Sequence, residues 1–234
     1  MLEKLLESGL GELGVDYDAR VIERYRVYFE NLEETNKVMN LTAISGEEDV
    51  ARLHFLDCAA VLKMEDFKGK RVIDVGTGAG FPGLALKIAC PELELTLLDS
   101  LDKRINFLKS CCGKLGFEDV YCLHARAEEA PGDMRESFDF ATSRAVARLN
   151  LLSELCLPLV KVGGYFIAMK GPDCQEEVNE AGRAIALLGG KLEKRIDYSI
   201  PGTDVVHSLV VIKKEKPTPG KYPRRWAQIK KQPL

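Results

Sequence analysis

The sequence predicts a doubly wound α/β fold, in which a mostly parallel seven-stranded sheet with an antiparallel last strand follows an N-terminal helical extension. Strand-like and helix-like segments alternate from residue 71 onward, which is typical of a sheet with crossover helices. The first strand, at residues 71–75, runs into a glycine-rich loop and then a helix. The last two strand segments are joined around Pro201-Gly202, too short a connection for a crossover helix, so their pairing should be antiparallel.

Each element is predicted from the spacing of apolar residues. Helices are expected where these recur at helical spacing, at residues 2–13 and 21–32 with Gly14 between them, and again at residues 49–62. Strands are expected at residues 71–75, 94–98, 120–123, 138–143, 164–169, 193–198 and 205–212, and later helices at about residues 82–89, 101–115, 149–157 and 174–188. We therefore predict a helical cap (1–65), a core domain (66–214) and a basic tail (215–234), the compact domain ending at residues 216–220.

Composition limits the class of protein. The chain has 234 residues, of which 46% are hydrophobic, enough for one buried core with an extension. The N-terminus lacks a basic segment followed by an apolar run, and no stretch is apolar enough to cross a membrane, so we expect a cytoplasmic protein. The seven cysteines lack CxxC spacing and lie mostly in apolar segments, which indicates reduced core thiols without a metal site or a disulfide framework.

Charge is distributed unevenly along the chain. The formal net charge is -3, but residues 213–234 contain eight lysines and arginines against Glu215 alone. Such a basic end is a candidate for contact with a polyanion, although the same composition suits a solvated tail. The candidate RNA-binding residues are Arg224, Arg225, Trp226, Lys230 and Lys231. The tryptophan ring can stack on a base or dock on the domain. We expect RNA affinity to concentrate in this tail. Removal of the tail should leave the affinity for a cofactor bound by the core domain (66–214) almost unchanged.

The loop after the first strand indicates a nucleotide-binding site. Its glycines at positions 76, 78, 80 and 83 lack Cβ, which lets the backbone turn sharply and bring the amides of the next helix close to a ligand. The second strand is followed by Asp99, whose carboxylate can accept hydrogen bonds from both hydroxyls of an adenosine ribose. The loop and this acid together are more informative than either feature alone.

The loop departs from the dinucleotide fingerprint at one position. Phe81 replaces the third glycine of that fingerprint, and its ring would crowd a pyrophosphate. An acid-x-Gly-x-Gly-x-Gly turn with a ribose acid after the next strand instead resembles motif I of the class I methyltransferases, which bind S-adenosylmethionine (SAM). Asp74 and the loop amides would then face the methionine end of SAM, and residues 66–214 would form the SAM-binding methyltransferase domain.

The features that the chain lacks narrow the choice of methyl acceptor. Residues 141–146 do not form the Asn/Asp-Pro-Pro-aromatic turn that usually meets exocyclic amines of adenine or cytosine. Attack at cytosine C5 needs a cysteine nucleophile, whereas Cys156 sits in an apolar helix and is better interpreted as core packing. Methylation of a ribose 2'-hydroxyl stays open, with Lys170 in a lysine and acid cluster. Guanine N7 needs no base, so positioning and electrostatics suffice there.

Several segments outside the glycine loop form a recognisable set. They are Asn40-Leu41-Thr42-Ala43-Ile44, His54-Phe55-Leu56-Asp57, Leu98-Asp99-Ser100 with Lys103-Arg104 and Phe107-Leu108, Arg126-Ala127-Glu128, Ser143-Arg144-Ala145, Lys170-Gly171 and Tyr222-Pro223-Arg224. Together with residues 74–83, they resemble the bacterial glucose-inhibited division protein B family, the 16S ribosomal RNA guanine-N7 methyltransferases. The resemblance covers nearly the whole chain, although Ala227 and Ile229 stand where the family's tail commonly has glycine and proline.

The resemblance implies SAM as cofactor, S-adenosylhomocysteine as its product, and 16S ribosomal RNA or the small ribosomal subunit as partner. We expect a monomer without an obligate protein partner. The expected cofactor contacts are Gly76, Gly78, Gly80, Phe81, Asp99, Ala127, Glu128 and Arg144. The backbone of Ala127 and Glu128 would meet the adenine edge. Arg144 is also the catalytic candidate, because it can donate to guanine O6 or anchor the SAM carboxylate, and we favour the cofactor contact.

Two other classes of function stay open. A nicotinamide-dependent oxidoreductase could use the same loop, but Phe81 and the absence of a Tyr-x-x-x-Lys motif count against it. A binding module could keep SAM as a structural ligand while its tail holds RNA. Three polar residues also stay undecided: His54 can orient substrate or cap the helical extension, and Asn36 and Asn40 can hold that cap over the loop or contact RNA.

Overall fold

The computed structural model describes residues 1–144 and 146–234, so Ala145 of the matched Ser143-Arg144-Ala145 segment lies outside the described residues. Its strands are β1 (Arg71–Val75), β2 (Glu94–Asp99), β3 (Tyr121–His124), β4 (Phe138–Arg144), β5 (Val160–Lys170), β6 (Gly190–Ser199) and β7 (Val206–Lys214). They form one sheet in the order β3-β2-β1-β4-β5-β7-β6. The first five strands pair in parallel, whereas β7 is antiparallel to both β5 and β6. The predicted fold class is therefore confirmed.

The structure has the helices that the sequence pattern predicts and one more, at residues 226–231, that the pattern does not predict. They are α1 (Leu2–Leu13), α2 (Ala19–Met39), α3 (Glu47–Val50), α4 (Asp57–Ala59), α5 (Gly83–Ala89), α6 (Asp102–Leu115), α7 (Leu149–Cys156), α8 (Gln175–Leu187) and α9 (Trp226–Lys231). A π-helical stretch, Ala51–Leu56, joins α3 to α4, so the helix expected at residues 49–62 changes its winding in the middle. None of the helices that the structure describes is both long and apolar enough to span a membrane.

Both β5 and β6 begin earlier than their patterns predict, β6 at Gly190 rather than at residue 193. The sequence indicates a start for β5 at residue 164, because glycines at 163 and 164 suggest a turn, but the strand begins at Val160. The pairing with β4 is irregular here, changing register between Phe138 and Phe140. A Cβ on Gly164 would lie 2.4 Å from the Asp139 carbonyl oxygen. These glycines therefore let two strands approach closely across an irregularity in the sheet.

Both faces of the sheet are covered by helices. Strand residues alternate between the two faces, as in β7, where Leu209 and Val211 join one hydrophobic cluster and Val210 and Ile212 the other. Helices α1, α2, α4, α5 and α6 pack on the first face, and α7, α8 and α9 on the second. The N-terminal helices thus share the core of the sheet. The division into a helical cap (1–65) and a core domain (66–214) stays a prediction.

Helix α2 is fixed to the glycine loop by two buried tyrosines. The hydroxyl of Tyr28 donates to the Ala79 carbonyl at 2.6 Å, and that of Tyr25 donates to the Ala85 carbonyl at 2.9 Å. Both tyrosine side chains are fully buried. The helical extension therefore holds the loop and the start of α5 in position.

The basic tail docks on the domain. The sequence suggests that compact structure ends near residues 216–220, but Tyr222 and Ile229 are buried in the second cluster. The guanidinium of Arg135 donates to the carbonyls of Thr218 and Tyr222, at 2.6 and 2.7 Å. Arg224 donates to Glu154 of α7 through its backbone amide and its side chain. Apolar burial and these bonds together keep the segment on the sheet's second face.

Candidate functional site

The candidate site lies where the parallel strands end. β1 lies inside the sheet between β2 and β4, and the chain continues to β2 on one side of it and later crosses to β4 on the other. In open α/β sheets, a crevice forms at the carboxyl ends of the strands where the strand order reverses in this way. The loop after β1, Asp99 at the end of β2 and Arg144 at the end of β4 meet at this point.

Two of the three predicted loop glycines line a cavity at this edge of the sheet. Gly76, Gly78, Phe81, Asp99 and Arg144 are among the residues around a space of about 430 Å³, here termed the loop cavity. Gly76 and Gly78 have positive φ values of 71° and 60°, a conformation that favours glycine. A Cβ on Gly78 would project into open space, so its backbone is accessible to a ligand.

Gly80, predicted as a third cofactor contact, has a different role. It is not among the residues that line the loop cavity. Its φ is 106°, and a Cβ there would lie 2.5 Å from the Tyr28 hydroxyl and 3.1 Å from the Leu84 Cβ. The residue is therefore required for the turn and for close packing beneath the loop, and the sequence pattern cannot distinguish this role from ligand contact.

Asp74 also lies beneath the loop, so the expectation that it faces the methionine end of SAM is wrong. Its carboxylate is fully buried and accepts hydrogen bonds from the Gly83 amide (2.8 Å) and the Thr142 hydroxyl (3.2 Å). Burial raises the pKa of Asp74 to about 6, and these hydrogen bonds oppose the shift. Asp74 therefore ties β1 to the start of α5 and to β4.

Asp99 is held in the wall of the loop cavity. Its Oδ2 accepts from the Gly78 amide at 2.9 Å and lies 3.3 Å from Nη1 of Arg104, while Oδ1 accepts from the Leu101 amide at 2.9 Å. A carboxylate has roughly four acceptor positions, so one position at Oδ1 stays available to a ligand. Displacement of the partly exposed Arg104 would free a second acceptor position, at Oδ2. The two hydroxyls of a ribose require two such positions.

A second cavity adjoins Asp99 on the other side of β2. It has a volume of about 120 Å³, and its walls include Asp99, Ala127, Glu128 and Trp226; it is termed the Trp226 cavity. Ala127 and Glu128 begin a short 3-10 turn after β3. The tryptophan is partly buried against the second cluster, so docking is the alternative that the structure supports. This wall belongs to the tail, so the tail borders the space beside Asp99, and the effect of tail removal on cofactor affinity stays a prediction.

Arg144 is fixed by three partners from the helical extension. Its Nη1 donates to the Leu53 carbonyl (3.1 Å) and to Oδ2 of Asp57 (3.0 Å), and its Nη2 donates to Nδ1 of His54 (2.7 Å). The guanidinium carbon lies 4.9 Å from the centroid of the Phe81 ring. Leu53 and His54 belong to the π-helical stretch, a type of winding that is frequent at functional sites.

His54 acts here as a neutral acceptor. An arginine N–H can only donate, so Nδ1 carries the lone pair and Nε2 donates its proton to the Thr42 hydroxyl, 2.8 Å away. Burial, reinforced by the positive charge of Arg144, lowers the pKa of His54 to about 3. The imidazole also stacks on Phe81, with 4.2 Å between ring centroids. His54 therefore orients both Arg144 and Phe81.

Asp57 connects this arrangement to the last two strands. The carboxylate is fully buried, and its Oδ1 accepts from the Tyr198 hydroxyl (2.6 Å) and from Nδ1 of His207 (2.8 Å). Burial opposes ionisation, but the bond from His207 and the charge of Arg144 lower the pKa of Asp57 overall. The same hydrogen bond raises the pKa of His207. Sequence reasoning missed this pairing, because 150 residues separate Asp57 from His207.

The remaining sequence candidates divide into buried and exposed groups. Asn36 donates to the Thr42 carbonyl and accepts from its amide, and Asn40 is the left-handed residue that ends α2, so both shape the helical extension. Lys170 donates to the Ala147 carbonyl and to Glu177. Arg224 is engaged with Glu154. Among the basic candidates of the tail, Arg225, Lys230 and Lys231 are exposed.

The residues around the two cavities fit an adenosine-containing ligand such as SAM. The open space at Gly78 accepts a ligand against the loop backbone, and Asp99 supplies a carboxylate between the cavities. Backbone groups of Ala127 and Glu128 and the ring of Trp226 border the smaller cavity. The side chain of Phe81 is buried, stacks on His54 and borders the loop cavity.

Comparison with solved structures supports the fold. TrmN from Thermus thermophilus superposes with a TM-score of 0.55 at 20% identity, over 68% of this chain and 48% of that chain. Similarity at this level of identity concerns the fold alone. The seven-stranded mixed sheet and its surrounding helices are those of the class I SAM methyltransferases.

Comparison with sequences is more specific. A family model described as "GidB: rRNA small subunit methyltransferase G" matches residues 21–199. Two relatives carry the name "Ribosomal RNA small subunit methyltransferase G". The protein from Clostridium perfringens (strain 13 / Type A) is 46% identical, and that from Alkaliphilus metalliredigens (strain QYMF) is 48% identical, each over 98% of both chains. The family model, the high identity and the full-length coverage show that this chain belongs to the rRNA small subunit methyltransferase G (GidB) family.

Proposed function

We propose that this protein uses SAM to methylate N7 of a guanine in 16S ribosomal RNA of the small ribosomal subunit. The observation that carries the proposal is the meeting of Asp99 and Arg144 at adjoining cavities in a chain that belongs to this family. Because the substrate is ribosomal RNA, we also propose that the protein acts in the cytoplasm. It does so as a monomer without an obligate protein partner.

The proposed cofactor contacts follow the two cavities. The ribose lies at Asp99, the adenine enters the Trp226 cavity beside Ala127 and Glu128, and the methionine portion occupies the loop cavity along Gly76 and Gly78. Bound SAM supplies an electrophilic methyl group. The protein supplies a rigid surface of backbone amides and one carboxylate, so little rearrangement is needed on binding.

Guanine N7 is favoured as acceptor because the basic side chains beside Arg144 are engaged in contacts within the chain. His54 is neutral, but its lone pair is used by Arg144. Asp57 is buried and accepts from three side chains. Lys170, the candidate for ribose 2'-hydroxyl chemistry, is held by Glu177 and a carbonyl. N7 carries an in-plane lone pair and no proton, so its methylation relies on orientation and electrostatics rather than on proton removal.

Arg144 has a defined task in this proposal. Its guanidinium lines the loop cavity while Asp57, Leu53 and His54 fix its orientation. A fixed cation there can pair with the carboxylate of SAM and still border the space that the acceptor enters. Arg144 thus keeps the contact with SAM that the sequence analysis favours. In this proposal it also touches the acceptor.

Trp226→Ala is expected to weaken SAM binding by about tenfold, because one wall of the proposed adenine site would be lost and aromatic pairs contribute roughly 0.5–1.5 kcal/mol beyond buried area. Isothermal titration calorimetry measures this directly. Trp226→Phe, which retains a ring, should recover most of the affinity. Unchanged SAM affinity in Trp226→Ala would move the adenine away from this cavity.

The exposed basic residues of the tail are expected to contribute much of the salt dependence of RNA binding. Replacing Arg225, Lys230 and Lys231 together with alanine should reduce the log-log salt slope by about two to three units, since each neutralised phosphate contributes roughly 0.7–0.9. Filter binding of 16S RNA at several salt concentrations gives the slope. A triple variant at Lys4, Lys63 and Lys68, basic residues outside the tail, is the control. Equal slopes for the tail variant and wild type would leave the tail without a role in RNA contact.

Transfer of tritium from labelled SAM to 16S RNA tests the function itself. The RNA should come from cells lacking the gene, so that the target is unmodified. We expect incorporation with this RNA and little with RNA from cells that contain the enzyme. Binding of SAM without incorporation into naked RNA or isolated small subunits would favour a binding module, and tighter binding of NADH than of SAM would favour an oxidoreductase.

A further inference from the structure

A third cavity adjoins the proposed cofactor site on the other side of Arg144. Its volume is about 510 Å³, within the ~300–1,000 Å³ that ligand pockets usually occupy. Its walls include Ile44, Leu53, Met169, Val205 and His207, and it is termed the His207 cavity. Arg144 and His54 belong to the walls of both this cavity and the loop cavity. The two spaces are therefore neighbours that share a guanidinium and an imidazole.

Resting on the function proposed above, we propose that the His207 cavity receives the acceptor guanine and that His207 donates a hydrogen bond to its O6. The cofactor has its own space along Gly76, Gly78 and Asp99, so this cavity is left for the second reactant. Both reactants would then meet at Arg144, the shared residue.

The walls of the cavity suit a flat aromatic base. Ile44, Leu53, Met169 and Val205 are apolar, and enzymes that act on a nucleobase hold it between such side chains after removing it from its stack. One part of the wall comes from the carboxyl end of β5 and from the start of β7, which runs antiparallel to β5. Both segments therefore lie at the same edge of the sheet as the glycine loop.

The polar edge suits guanine rather than adenine. Nδ1 of His207 is bound to Asp57, and Nε2 has no hydrogen-bond partner among the described residues. The hydrogen bond to Asp57 raises the pKa of His207 and favours the protonated ring, in which Nε2 also carries a proton. Guanine presents the acceptors O6 and N7 on one edge, whereas adenine presents an amino donor at the position of O6. In its protonated form, the ring donates from Nε2, which orients guanine and disfavours adenine.

Two neighbouring valines provide a matched test. Val205 lines the cavity and is 39% exposed, whereas Val206 is 37% exposed and does not line it. Val205→Trp should fill the space and lower kcat/KM for 16S RNA by about 100-fold, the effect of misplacing a reactant. Val206→Trp should remain within about twofold of wild type. Both should bind SAM like wild type. Activity of Val205→Trp equal to that of Val206→Trp would overturn the assignment, whereas an inactive wild type would instead refute the proposed function.

A labelling experiment tests the same cavity without measuring activity. In the variants Val205→Cys and Val206→Cys, the reaction of the new thiol with a maleimide is followed by peptide mass spectrometry in the presence of SAM. Six of the seven native cysteines are buried, so background labelling is low. Adding 16S RNA should slow labelling at position 205 by about tenfold or more, and much less at position 206. Equal protection at the two positions, or none at position 205, contradicts insertion of a base.

The role of His207 can be tested separately from the role of the cavity. His207→Leu removes the donor and should lower kcat/KM by about tenfold, consistent with one hydrogen bond. His207→Gln keeps an amide donor and should retain more activity. Both variants should keep wild-type SAM affinity, which also checks folding. If the leucine and glutamine variants are equally active, His207 does not read O6.

Discussion

Replacing Arg144 with alanine is expected to reduce methyl transfer by at least about 100-fold, because the residue borders both reactants and a small misplacement near the reacting atoms already costs that much. The same change should lower the free energy of unfolding by about 1–3 kcal/mol, since one partner of a buried ion pair is lost while the other keeps its hydrogen bonds from Tyr198 and His207. Asp57 is that partner, fully buried at 3.0 Å from Nη1. The sequence predicts that Arg144→Ala loses turnover. The structure predicts that it also loses stability.

Arg148→Ala is the matched control. Arg148 pairs with Glu180 at the surface, and 59% of its side chain is exposed, so its loss should cost less than about 1 kcal/mol. Urea denaturation and single-turnover methylation of both variants give the comparison. Activity of Arg144→Ala near that of wild type would mean that the guanidinium serves neither reactant.

Asp99→Ala is expected to weaken SAM binding by about 1.5–3 kcal/mol, the range for a hydrogen bond to a charged group. The carboxylate is also the acceptor for the Gly78 and Leu101 amides, so its loss loosens the loop as well as the ribose contact. We therefore expect the upper part of this range. Calorimetry with SAM and with NADH measures both affinities.

Asp102→Ala provides the comparison for Asp99. Asp102 begins α6 three residues later, but its side chain is 64% exposed and faces Asn106 and His124. Its removal should leave SAM affinity within about twofold of wild type, as expected for a surface substitution. SAM affinity of Asp99→Ala equal to that of Asp102→Ala would refute the ribose contact.

The order and type of the elements were predictable because each carries a local pattern. Short apolar runs predict the strands, and the short Pro201-Gly202 connection predicts the antiparallel pair, which the structure has. The glycine loop and Asp99 lie side by side because consecutive parallel strands end at one edge of the sheet. Local patterns of this kind require no knowledge of distant contacts.

Contacts between distant segments could not be read from spacing. Asp57, Tyr198 and His207 come from a helix and two late strands, and nothing in their flanking sequence indicates that they meet. The tail likewise looked like a solvated basic segment, because its charge conceals the anchoring of Arg224 on Glu154 and the burial of Ile229. Gly80 shows a third limit, since packing and ligand contact favour the same residue type.

Mass-spectrometric mapping of 16S RNA from cells with and without the gene tests the central claim most directly. Borohydride and aniline cleave RNA at 7-methylguanine, which provides a second readout on the same samples. We expect one 7-methylguanosine that is present in RNA from cells with the gene, absent without it, and restored by the purified protein with SAM. Identical mapping and identical cleavage in both RNA samples, or a methyl group restored at a ribose hydroxyl, would contradict the assignment of guanine N7.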